Sequence, residues 1–151
     1  MTPKAQCLII RHLGELRFDV TRLEDGKSSS PVQLIPPNQI VVDGRPDSHL
    51  LHDLRWYLER FLDYPFEPNT DIAERVQRAL EEWGRLTFER LFSGQPLLWY
   101  DRIRTSGLSN LVLKVACDDP TVLAWPWEAL RDPHGAPLTW IAGLVANSDV
   151  L

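Results

Sequence analysis

Hydrophobic and polar positions change period several times along the chain, and each change predicts an element. Cys7-Leu8-Ile9-Ile10 is a short apolar run. Leu16, Phe18 and Val20 then alternate with Arg17, Asp19 and Thr21, so the first twenty-two residues predict a β-hairpin turning at Leu13-Gly14. A polar loop, EDGKSSSP (24–31), follows, and VQLIPP and QIVVDG add one or two short strands before Gly44. Pro36-Pro37 keeps that region to an edge or a bend. Asp47 or Ser48 can cap a helix to about Asp63, with Leu51, Leu54, Leu58, Phe61 and Leu62 on one face. A longer helix is capped by Asn69 or Thr70 and stopped by Gly94. Its apolar stripe is Ile72, Val76, Ala79, Leu80, Trp83, Leu86 and Leu91, and its charged face (Glu74, Arg75, Arg78, Glu81, Glu82, Arg85) is a solvated one.

Further along, Leu97 to Thr105 predicts a short helical turn, and Leu111, Leu113 and Val115 mark a strand closed by Asp118-Asp119-Pro120. After WPWEAL and the turn Asp132-Pro133-His134-Gly135 comes an apolar strand, LTWIAGLVA (138–146). Strands and helices are partly segregated, which predicts an α+β fold: an N-terminal hairpin and short strands, two main helices on a small mixed sheet, and a C-terminal apolar strand. The 151 residues make a single domain by size.

Composition narrows the partners. A net charge of −5 argues against a nucleic-acid backbone or an anionic membrane, since both need a basic face. No apolar run approaches the roughly 20 residues of a spanning helix. The N-terminal apolar run, Cys7 to Ile10, is too short for a signal peptide. Two cysteines without a disulfide framework point to the cytoplasm.

Candidate chemistry is sparse. Cys7 lies within an apolar strand, where a thiol behaves as a small hydrophobe, and Cys117 precedes two aspartates whose charge opposes thiolate formation. No catalytic residue is expected. His49 and His52, three apart beside Asp53, form a weak metal candidate without a third ligand, and His134 reads as a turn residue. No metal and no cofactor is expected, as the chain has no glycine-rich phosphate loop, no Gly-x-Ser-x-Gly elbow and no His-Glu-x-x-His.

Trp125-Pro126-Trp127-Glu128 is the most unusual segment. In extended backbone both indoles point to one side. If Pro126 opens a helical turn at its first position, Glu128 falls in the favourable first turn. An aromatic plug between helices and sheet is preferred over a recognition surface, because buried tryptophan dominates local packing. Trp56, Trp83 and Trp140 join Trp125, Trp127 and Glu128 as structural or interaction residues.

HDLRWYLERFLDYPFEPN (52–69), ERVQRALEEWGRLTFERLF (74–92) and CDDPTVLAWPWEALRDPHGAPLTW (117–140) together resemble the front part of a CHAT domain, a caspase-like family related to separases. The two motif matches are Asp53 to Glu59 and Trp125 to Asp132, with Trp125 where the family has a smaller aliphatic. The resemblance spans residues 45–142 and implies that Trp127 and Glu128 buttress a caspase-like sheet. It also implies that the family's catalytic histidine and cysteine belong to downstream segments, so no catalytic residue carries over. The expectation is a non-catalytic scaffold or interaction module, with a downstream peptidase core or a second copy as its protein partner. The alternative is one piece of a cysteine peptidase whose His/Cys dyad lies in a downstream or separate polypeptide. The chain is accordingly part of a longer protein, a processed product or a short divergent protein. The apolar strand 138–146, lacking a polar face, is expected to pair two copies as a homodimer.

Overall fold

A computed structural model describes residues 6–39, 41–42, 45–46, 69–107, 110–132 and 143–147. Strand β1 (Gln6–Gly14) turns into β2 (Arg17–Arg22), followed by β3 (Val32–Gln33), β4 (Val41–Val42) and β5 (Arg45–Pro46). Helix α1 (Asn69–Leu91), helix α2 (Gln95–Ser106), strand β6 (Leu111–Ala116), the single-turn helix α3 (Pro120–Leu123), a 3-10 turn (Trp127–Ala129) and β7 (Gly143–Asn147) complete the order. The architecture is α+β, as the segregation of periods predicts.

The main sheet runs β3-β2-β1-β6-β7, while β4 and β5 form a separate two-stranded pair. β1 pairs antiparallel with β2 and parallel with β6, and β6 pairs parallel with β7, so the sheet is mixed. Register assigns the faces. Leu8, Ile10 and His12 stand opposite Arg22, Val20 and Phe18 of β2, and Leu8 and Ile10 stand opposite Leu113 and Val115 of β6. Side chains alternate in a strand, so these residues share the face that carries the core. Leu8, Ile10, Phe18, Val20, Leu111, Leu113 and Val115 are all buried there. The other face carries the cross-strand pair Arg11–Asp19, in which Arg11 Nε donates to Asp19 Oδ1 at 2.8 Å. Asp19 is buried, and the bidentate arginine supplies the partner a buried carboxylate requires.

α1 lays Val76, Ala79, Trp83 and Leu91 into this core, with Leu80 and Leu86 half-buried at its margin. Thr87 and Phe88 are buried as well, so the inward stripe is wider than the apolar period alone indicates. The opposite face is solvated and laced with ion pairs: Arg85 reaches Glu82 at 2.6 Å and Glu89 at 2.7 Å.

Three local expectations are corrected. The hairpin turns at Glu15-Leu16 rather than Leu13-Gly14, and Glu15 takes a positive φ of 51°. The pairing slips between His12 and Gly14, so Leu13 remains in the strand and Leu16 leaves it. Gly94 does not stop α1, which ends at Leu91; at φ 68° it is the N-cap of α2. Phe92 continues into the core behind α1, and its N–H donates to Phe88 O at 2.8 Å. The short turn expected over 97–105 is a full helix of 12 residues, with a proline in its first turn. The helix expected over 47–63 lies outside the described residues.

Candidate functional site

The Trp-Pro-Trp segment is shaped by its proline. Pro126 has φ −77° and ψ 65°, and Trp127 N–H donates back to Trp125 O at 2.8 Å. Those angles and that i→i+2 bond define an inverse γ-turn. Pro126 is therefore the N-cap of the following 3-10 turn, not its first helical residue. The tight turn stacks the two indoles, with centroids 5.7 Å apart and planes at 28°. Asp119 sets up the approach: its carboxylate accepts from Thr121 N–H and caps α3, with Pro120 in the first turn.

Both rings face inward. Trp127 is 1% exposed and Trp125 is 5% exposed. Phe18 of β2 stacks on Trp125 at 5.6 Å and tilts against Trp127 at 5.7 Å. Trp83 of α1 meets Trp127 edge-on at 5.7 Å and Trp125 at 6.2 Å. Trp127 Nε1–H donates to Val122 O at 3.0 Å, and Trp83 Nε1–H to Ile35 O at 2.9 Å. These indoles are thus buried without leaving a donor unpaired. The segment joins helix to sheet, and within the described residues it offers no aromatic surface to a ligand.

Helix and turn touch through backbone as well. A methyl group added at Gly84 would lie 1.8 Å from the Ala129 carbonyl oxygen, and Arg131 N–H reaches Gly84 O at 3.4 Å. Only glycine permits this approach. A second aromatic group, Phe88, Phe92 and Tyr100, sits behind α1. There the Tyr100 hydroxyl donates to Asp132 Oδ2, and burial, reinforced by that carboxylate, raises the phenol pKa.

The aromatic chain ends on a pair of reactive types. His12 tilts against Phe18 at 5.0 Å, and its Nδ1 lies 3.5 Å from Cys117 Sγ. Strand register explains the meeting, since His12 follows Leu8 and Ile10 on the core face of β1 and Cys117 follows Leu111, Leu113 and Val115 on that of β6. His12 Nε2 is 2.7 Å from Glu15 O. A carbonyl only accepts, so in the neutral ring Nε2 carries the proton and Nδ1 turns a lone pair to the sulfur. The Cys117 thiol also donates to Asp119 O at 3.3 Å, so that carbonyl and His12 Nδ1 compete for its one proton. Burial raises the Cys117 pKa, and the Asp119 and Asp118 carboxylates raise it further, in the direction expected from the sequence. The sequence reading passed over His12, although counting by twos from Leu8 and from Leu111 places both residues on one face at one end of the sheet.

Other candidates are not brought together. Trp56, Trp140, His49, His52 and His134 lie outside the described residues, as does the Glu128 side chain. Among the described residues no group of three or more His, Cys, Asp or Glu is placed to hold a metal ion, and no helix is long and apolar enough to cross a membrane. Cys7 is half-buried, and its pKa is raised by burial. No protein-family model, curated protein or solved structure matches the chain.

Proposed function

We propose that this chain is a non-catalytic scaffold or interaction module resembling the N-terminal part of a CHAT region, whose partner is a protein: a downstream peptidase core or a second copy. The observation that carries this reading is the position of β7, which pairs with β6 and ends the sheet among the described residues. A strand at the end of a sheet has a row of backbone groups free to pair with another chain. The stretch 138–146, which contains most of β7, has no polar residue apart from Thr139, the composition of a strand covered on both faces. The aromatic turn supports the same reading, because its tryptophans hold helix and sheet together instead of lining a substrate cleft. Two free cysteines suit a reducing compartment, the cytoplasm.

The rival reading is an enzyme piece. Peptide cleavage needs a thiolate that a polypeptide backbone can reach, and the Cys117 thiol is buried with its pKa raised. Incubating the full chain with a pooled peptide library should therefore give no turnover. Cleavage that disappears in Cys117→Ala or in Cys7→Ala would overturn the non-catalytic reading.

A further inference from the structure

We propose that Cys117 and His12 form a thiol modification site, at which a small hydroperoxide converts the thiol to a sulfenic acid while the imidazole carries the proton. Three observations converge on it. Sγ and Nδ1 are 3.5 Å apart, within reach of a direct proton transfer. The Nε2 bond to Glu15 O and the ring contact with Phe18 hold the imidazole in the tautomer and orientation that accept from sulfur. The residues that follow Cys117 directly, 118–121, are exposed, so the buried thiol lies just beneath the surface at this turn, and the reaction requires that a reagent the size of hydrogen peroxide reach it there.

The step balances. His12 Nδ1 takes the thiol proton as sulfur attacks the nearer peroxide oxygen; the S–O bond forms and the O–O bond breaks. Sulfur is oxidised by two electrons and the peroxide reduced. The departing hydroxide takes the proton from His12 and leaves as water. The thiol stays protonated at rest, and the base removes its proton only during attack. Cys7 does not resolve the product. It stands opposite Val112, five residues before Cys117 along β6, about 16 Å away at the usual strand rise and beyond disulfide reach. A low-molecular-weight thiol must restore the cysteine.

Cys7 serves as the internal control, being more exposed than Cys117 and having the Lys114 ammonium, which lowers its pKa against the rise from burial, where Cys117 has the His12 imidazole. The full chain is treated with dilute hydrogen peroxide in the presence of dimedone, and the adducts are mapped by peptide mass. Cys117 should label ahead of Cys7 in the wild type. In His12→Phe, which keeps a ring against Phe18, Cys117 labelling should fall about a hundredfold while Cys7 labelling is unchanged. Labelling of Cys7 first, no labelling of either, or an unaltered Cys117 rate in a folded His12→Phe would each overturn the proposal. If that variant fails to fold, the order of labelling within the wild type decides alone.

Discussion

Gly84 sets the distance between α1 and the Trp-Pro-Trp turn. Alanine is the better helix former by about 1 kcal/mol, so on propensity alone Gly84→Ala stabilises α1. The Ala129 carbonyl stands where the methyl would go, and the helix would have to withdraw from the turn. Overpacking of this kind costs about 1–3 kcal/mol or more, so a net loss of stability is expected in urea denaturation; a gain would mean the backbones are not in contact. Trp127→Ala removes a ring that is 1% exposed and should cost about 3–5 kcal/mol by the same measurement. A variant as stable as the wild type would place the ring in solvent. Size and apolarity made the role of Trp127 legible in the sequence. The need for glycine at 84 was not legible, because it arises from a backbone 45 residues away, and the meeting of His12 with Cys117 depends on a strand pairing that neither segment announces.

Elements were legible where a period ran long. The α1 stripe and the alternations of β2 and β6 appear close to where the pattern places them. Junctions were less legible, because a bulge between His12 and Gly14 moved the hairpin turn by two residues and a glycine suited to ending one helix begins the next. The caps give an element-scale test. Asp119→Ala removes the bond to Thr121 N–H and should destabilise by about 1 kcal/mol, read from the denaturation midpoint. The loop after β2 gives a pH test. The Arg22 guanidinium, bonded to Asp25 at 2.6 Å, lowers that carboxyl pKa from 3.8 to about 2. Because the folded value lies below the unfolded one, the ion pair contributes above pH 3.8 and is lost as pH falls toward 2. Carboxyl NMR should show Asp25 titrating near the lower value, and a midpoint near 3.8 would mean that the exposed pair does not persist.

At the scale of the molecule, the mixed sheet ends, among the described residues, with the short strand β3 on one side and β7 on the other. The two ends differ in consequence. β3 is two residues long, too short to template another strand, whereas β7 has five residues in register with Val112–Ala116 of β6. The proposed pairing of two copies is therefore assigned to β7. Light scattering behind size exclusion on the full chain, compared with a chain lacking residues 138–151, tests that most directly. Pairing at β7 should give a dimer at micromolar concentration for the full chain and a monomer or an insoluble product for the shortened one. A soluble monomer with residues 138–151 intact would contradict it, because the edge of β7 would then be covered within its own chain.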